Sequence, residues 1–213
     1  MNKRENKQLR GVITREKILT TALELFKKRG YNKVTVDEII LASETSKGSF
    51  YQHFPSKASI FLYQFSKADE YYTEISKNIP NNLSELTKIE YFSLEVLDFL
   101  DKDMGKELMK VIYSSAIESN EHTFFINANR PLFKIIRTYI EKAFSNNEIK
   151  NGYSLDEVYT TLIQGIMGII YHWGINDNIT SLKQVGQPLL SAIIIGFKTP
   201  SNIITSTEEK PSY

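Results

Sequence analysis

The tightest constraint on this chain is residues 35–57, TVDEIILASETSKGSFYQHFPSK, where two short helical patterns meet across a few turn residues and a third begins directly afterward. Thr35 and Glu38 have the spacing of a capping box, in which a side-chain oxygen accepts an orphan backbone N–H and the glutamate reaches back. Ser43-Glu44-Thr45 interrupts the pattern, and Ser46 can cap a second helix. Phe50 and Phe54, four residues apart, share one face of that helix and must be buried. The opposite face carries Lys47, Ser49, Tyr51, Gln52 and His53: compact donors and an aromatic hydroxyl. Gly48 lets the backbone approach a partner closely, as phosphate contacts require.

Charge supports the same reading. The formal net charge is only +1, but residues 1–60 hold 12 Lys and Arg against 6 Asp and Glu, and the remainder holds 14 against 19. A basic first quarter on an acidic body suits a small polyanion-binding head. At 213 residues and 41% hydrophobic content the chain can bury a sizeable core. It contains no cysteine, which excludes disulfides, thiolate metal sites and a cysteine nucleophile. The opening MNKRENKQLRG lacks the apolar run of a secretory signal, so a cytoplasmic location is expected.

Residues 1–11 are polar and basic without periodicity and read as a flexible arm. Thr14 can cap the first helix, in which Ile18, Ala22, Leu25 and Phe26 recur at helical spacing; Lys27, Lys28 and Arg29 suit its C-terminal dipole before Gly30 ends it. Three helices therefore fall within about 45 residues, the size of a helix-turn-helix module.

The segments ILTTALELFKKRGYNKVTVDEI and SKGSFYQHFPSK, within residues 12–60, resemble the TetR-type transcriptional regulators. The resemblance implies a three-helix DNA-binding head, a linking fourth helix, a divergent all-helical ligand-binding body, and a homodimer that grips a palindromic operator. The chain departs from the family pattern at Ser43-Glu44-Thr45, where Ala-Gly-Val is usual, at Ile40 in place of alanine, and at Ser59 in place of glutamate. A left-handed Glu44 would be strained.

Beyond Pro55, Ser56 caps a helix through Phe61, Leu62, Phe65 and Ala68 to about Asn78. Ser84 opens the next, with Leu86, Ile89, Phe92, Val96, Leu97 and Leu100, and a further one spans about Gly105 to Ser119. Pro131 suits the first residue of a helix reaching Phe144. Ser154 and Glu157 form a second capping box, opening a helix with no charged residue from Val158 to Asn176. That run meets the length rule for a membrane span, but Thr160, Thr161, Gln164 and His172 within it favour a buried helix. Gly165 and Gly168 allow close helix approach, and the final apolar segment, Leu189 to Phe197 with Ala192 and Gly196, offers a second such surface. The resemblance assigns these two helices to the dimer interface. Pro188 requires the last helix to start there or to kink. The expected organisation is all-α: arm 1–11, helix-turn-helix domain 12–56, ligand-binding and dimerisation domain 57–199, and a flexible tail 200–213.

No HExxH, GxSxG or P-loop spacing occurs, so neither an enzyme, a cofactor nor a metal site is expected. The candidate DNA contacts are Thr35, Ser46, Lys47, Gly48, Ser49, Tyr51, Gln52, His53 and Lys57; Lys47, Ser49 and Gln52 are the candidate base readers. Candidate effector contacts in the body are Tyr91, Phe92, Tyr113, Phe125, Tyr139 and His172. The expected partners are a double-stranded operator, a small-molecule effector of unspecified class and a second copy of the chain, with no membrane. The alternative readings are a helical interaction or scaffold protein that keeps the head without specific operator binding, and a membrane-associated regulator.

Overall fold

The computed structural model describes residues 3–118, 127, 129–178 and 181–200. Helices dominate them: α1 (Lys3–Arg29), α2 (Val36–Ala42), α3 (Lys47–His53), α4 (Ala58–Asn78), α5 (Glu85–Phe99), a π-helical turn (Leu100–Met104), α6 (Lys106–Glu118), α7 (Pro131–Ser145), α8 (Leu155–Ile175) and α9 (Leu182–Phe197). Among the described residues no strand occurs beyond an isolated bridge between Ile149 and Lys198.

Both capping boxes form. Thr35 Oγ1 accepts the Glu38 N–H at 3.2 Å and Glu38 accepts the Thr35 N–H at 2.7 Å; Ser154 and Glu157 repeat the pattern on α8. The departure at Ser59 is compensated locally. Ser56 Oγ accepts the Ser59 N–H and Ser59 Oγ accepts the Ser56 N–H, each at 3.2 Å, so two serines do the work of a serine and a glutamate.

Two expectations are corrected. Residues 3–11 are not a free arm: α1 is helical from Lys3, and Thr14, instead of capping, donates back to the Arg10 carbonyl at 2.9 Å. The segment is rich in Lys, Arg, Glu, Gln and Leu, good helix formers that outweigh one interior glycine. Of the two alternatives for the last helix, a start at Pro188 is excluded, because the helix begins at Leu182. Ser181 caps it through the Gln184 N–H, and Pro188 lies inside, at an exposed position.

α1, α2 and α3 close a small head around Ile18, Phe26, Ile39, Phe50 and Phe54, all at most 1% exposed. Phe61, from the first turn of α4, enters the same core, with ring centroids 5.3 Å from Phe26 and 5.0 Å from Tyr31. Further along α4, Tyr72 packs edge-on against Phe92 and Phe99 of α5, so α4 belongs to both cores. In the body α5 packs against α7 and α9, and α8 against α6, α7 and α9. Gly186 makes the α9 contact close: a Cβ there would stand 2.5 Å from Leu97 Cδ1.

One polar pair is set into this apolar interior. Arg130 precedes Pro131, which forces it into an extended conformation (φ −65°, ψ 143°), and its guanidinium reaches Asp69 of α4. Both bonds, Nε to Oδ2 and Nη2 to Oδ1, are 3.0 Å. Phe65 and Phe133 lie 5.0 and 5.6 Å from the guanidinium carbon. No described helix is long and apolar enough to cross a membrane, α8 included. Asp69→Ala would strand the buried Arg130 charge, so it should cost about 3–5 kcal/mol in a urea titration followed by circular dichroism.

Candidate nucleic-acid interface

The connection between α2 and α3 sets the position of the candidate reader. Thr45 N–H bonds to the Ile40 carbonyl and Glu44 N–H to the Leu41 carbonyl, both at 3.1 Å, the paired pattern of a Schellman turn. Its left-handed position is Glu44, at φ 50°, where glycine is the unstrained choice. Lys17 of α1 compensates with an ion pair at 2.7 Å, which draws the exposed carboxylate toward α1 and holds it below the ordinary carboxylate range. Ser43, fully buried, hydrogen-bonds Thr45 Oγ1 at 2.9 Å.

From this turn α3 starts at Ser46, whose hydroxyl accepts the Ser49 N–H at 3.1 Å. Phe50 and Phe54 anchor its inner face. Ser46, Lys47, Gly48, Tyr51 and Gln52 are exposed, and Ser49 and His53 half-buried. Lys47 Nζ lies 3.5 Å from Asp37 Oδ1, which sets the first turns of α2 and α3 side by side. Both groups are well exposed, so this pair is weak and readily exchanged for another anion. The Thr35 hydroxyl is committed to its cap and donates to Glu38 at 2.9 Å. Burial, and then the positive charge of Arg15, lower the His53 pKa, favouring a neutral imidazole at neutral pH. α1 passes the end of α3 at Gly11, where a Cβ would make ordinary contact with His53 Cε1, 3.9 Å away. Lys7 and Arg10, both exposed, lie on that same segment of α1.

In the body, α4 to α8 enclose a narrow cavity of about 50 Å³. Its wall is almost wholly aromatic and aliphatic, with Arg130 and Ser93 as the polar members. A second, more open cleft between α6 and α8 shares Met109, Tyr113 and Ile170 with it. Of the apolar residues on α8 and α9, Met167, Tyr171, Ile175, Leu189 and Ile195 are exposed, Ile195 to 67%; Met167 also borders the cavity, and Tyr171 and Ile175 border the cleft toward α6. No charged residue occurs from Val158 to Asn176 or from Gln184 to Phe197.

Residues 18–63 match the family described as "Bacterial regulatory proteins, tetR family". The transcriptional regulator QacR of Staphylococcus aureus is 25% identical over 189 residues, which cover 84% of this chain and 97% of that protein. The biofilm operon icaADBC negative transcriptional regulator IcaR of the same species is also 25% identical, over 70% of this chain and 96% of its own. Among solved structures, the transcriptional regulator FadR from Bacillus subtilis, in complex with stearoyl-CoA, superposes with a TM-score of 0.69 at 17% identity, covering 85% of this chain and 98% of that one.

Residues 18–63 form a TetR-family head.

Within this TetR-family head, the structure gathers Ser46, Lys47, Gly48, Ser49, Tyr51, Gln52 and His53 on α3, with Thr35 beside them. Lys57 is elsewhere engaged. Its ammonium donates to the carbonyls of Tyr31 and Val34 at 2.8 and 2.9 Å and sits 4.1 Å from the Tyr31 ring centre. It therefore clasps the α1–α2 connection to α4. Of the six aromatic and histidine candidates in the body, Tyr113 lines the cavity. Phe92 is core, Tyr139 bonds the Ser76 carbonyl at 3.3 Å, Tyr91 borders a separate surface cleft, His172 faces outward, and Phe125 lies outside the described residues. Gly168, Ala192 and Gly196 are exposed, whereas Gly165 serves the chain's own packing: a Cβ there would stand 2.6 Å from Ile193 Cδ1. Asp69 and Arg130 were not among the candidates. The available signal was a carboxylate at position 69 interrupting the stripe Phe61, Phe65, Ala68, Tyr72.

Glu44→Gly relieves the left-handed strain and should raise the thermal midpoint by roughly 2–4 °C if the relief approaches 1 kcal/mol, with no change in helix content by circular dichroism. The Thr35 N–H, and then the Arg29 guanidinium 2.8 Å away, hold the Glu38 pKa down at about 2, against an ordinary 4.5. A depressed carboxylate stabilises the fold fully above its unfolded value and ceases to do so as pH falls through the folded one. The midpoint gap between wild type and Glu38→Gln should thus be constant above about pH 5.5 and narrow between pH 4.5 and 2.

Proposed function

We propose that this protein is a homodimeric repressor of the TetR family, released from a palindromic operator by a small-molecule effector. The observation that carries the DNA reading is the exposed polar face of α3, held by Phe50 and Phe54 in an aromatic core. Lys47, Ser46 and Tyr51 are placed for phosphate, and Lys47, Ser49 and Gln52 for base edges, because residues near the start of a recognition helix reach the major groove. Gly48 keeps the backbone free to approach. His53 serves as a neutral hydrogen-bonding group beside α1. Lys57 contributes by bracing the head.

The uncharged outer face of α8 and α9 supports self-association. Large apolar side chains on it, Leu189 at 45% and Ile195 at 67% exposure, would be removed from water by an equivalent face on a second copy. Gly168, Ala192 and Gly196 let the helices of two copies approach closely. Two α3 helices must then present themselves about 34–36 Å apart to read successive major grooves.

The cavity supports effector control, as does the stearoyl-CoA bound by the structurally similar FadR. α4 carries one wall of the cavity on the same helix that anchors the head, and α6, another wall, packs on α1. An effector that favours a body shape with a different α3 spacing lowers operator affinity through its preference between the two states. The scaffold alternative is weakened by the Lys17 partner of Glu44, which keeps the departure in the turn from setting an unpaired negative charge beside α3.

Selection from a random DNA pool should enrich a palindrome, with preference over unrelated sequence of roughly 10³ or more. Lys47→Ala and Tyr51→Ala should each weaken binding to it at least about tenfold in a gel-shift titration, while sedimentation shows an unchanged dimer. Enrichment of no sequence would favour the scaffold reading.

A further inference from the structure

The body cavity has an unusual polar balance. Its single bordering cation, Arg130, is already matched in charge and geometry by Asp69, and its guanidinium also lies over the rings of Phe65 and Phe133. Ser93, 1% exposed and on the wall of the same cavity, has a hydroxyl with no hydrogen-bond partner among the described residues. The rest of the wall is apolar, as at Val96, Ile136 and Ile166. Burial pushes the phenols of Tyr72 and Tyr113 up, so neither supplies negative charge.

We infer that the cavity takes an uncharged, mostly apolar molecule with at least one hydrogen-bonding oxygen, which pairs with Ser93. The inference rests on the proposed effector-binding role of the body and specifies its chemistry.

Three considerations select this class. An organic cation would enter beside Arg130 and meet like charge, with the carboxylate of Asp69 already engaged by that guanidinium. A carboxylate would have to displace Asp69 from Arg130 and leave that carboxylate buried without its partner. A neutral oxygen disturbs neither group, and the Ser93 hydroxyl can donate to it or accept from it. The length available is greater than the inner cavity alone. Met109, Tyr113 and Ile170 also line the outer cleft between α6 and α8, so a chain can extend past Tyr113 from one space into the other.

Three probes with one tail and different charge test this: 1-decanol, decanoate and decyltrimethylammonium, each titrated calorimetrically into the full chain below its aggregation limit. 1-Decanol should bind at least about tenfold more tightly than either ion, because each ion gives up hydration without a matched partner. Ser93→Ala should weaken 1-decanol by about 2- to 10-fold, the range of one neutral hydrogen bond. Val96→Trp, which fills the cavity, should abolish binding while circular dichroism shows an intact helical fold. Tighter binding of decanoate or of the ammonium overturns the inference. So does a Ser93→Ala variant that binds 1-decanol unchanged, or a folded wild type that binds none of the three. A gel shift on the selected operator, run on the same preparation without any probe, keeps the two questions apart. Its failure strikes the DNA-binding reading, whereas an intact shift without 1-decanol binding strikes this inference alone.

Discussion

The placement of Phe61 in the head core is the contact on which the rest of the structure depends. Its ring meets Phe26 and Tyr31 at 5.3 and 5.0 Å, and Lys57 ties the Tyr31 and Val34 carbonyls to the same end of α4. Three helices, two of them only seven residues long, bury little surface by themselves. Phe61 completes their core with a residue from the body's own first helix. The head is thus seated on α4, and a displacement of α4 carries α3 with it. A second tie runs from Lys67 to Glu16 at 2.8 Å, with Tyr63 beside it. Both Lys67 and Glu16 are substantially exposed, so the aromatic contact supplies most of the hold.

The body resolves a different problem, that of keeping a cavity within a helical core. Empty apolar space is destabilising in proportion to its volume, and the surrounding helices must be fixed by contacts elsewhere. Several are polar bonds between elements distant in sequence. Glu148 accepts the Glu85 and Leu86 N–H groups and so caps α5 from beyond α7. Asp101, in the π-helical turn, accepts the Leu182 N–H at the start of α9. Lys106 donates to the Asn176 carbonyl at the end of α8. The π turn itself puts Leu100 on the cavity wall and Asp101 on α9. It joins the apolar space to the helix whose outer face is free of charge.

What was legible in the sequence had a local cause. Caps at Thr35, Ser46 and Ser154 depend on residues three positions away, and helical apolar spacing fixes which side of α3 is buried. Those signals located the head, the order of most body helices and the polar face of α3. Lys57 misled because its chemistry suits phosphate, while its partners are carbonyls 23 and 26 residues earlier. Gly165 misled for a similar reason: a small residue announces a close approach without saying whether the neighbour is Ile193 of the same chain or a second copy. The cavity was the least legible. Aromatic abundance does not separate wall from core, and Arg130 finds Asp69 across 61 residues. The one local trace was a carboxylate in an apolar stripe, which reads equally as a surface break until α7 is seen to cover it.

In the proposed mechanism, the energetics of release depend on how these two parts are joined. Moving an equilibrium nearly completely from one state to the other takes a preference of about 5.5 kcal/mol, yet burying apolar ligand surface in itself supplies none of it, because a ligand held equally by both states shifts neither. Only a change in the cavity counts. Its walls include α4, which carries Phe61, and α6, which packs on α1, so the surfaces that a ligand would fill belong to the elements that set the head. A rigid body would bind and transmit nothing. A loose one would lose the α3 spacing without any ligand. The buried Asp69–Arg130 pair lies at this compromise: two bonds of 3.0 Å pin the middle of α4 to the start of α7 beside the cavity. Apart from Ser93, the remainder of that wall is apolar contact, which lacks directional preference and can repack with little loss when its volume is filled.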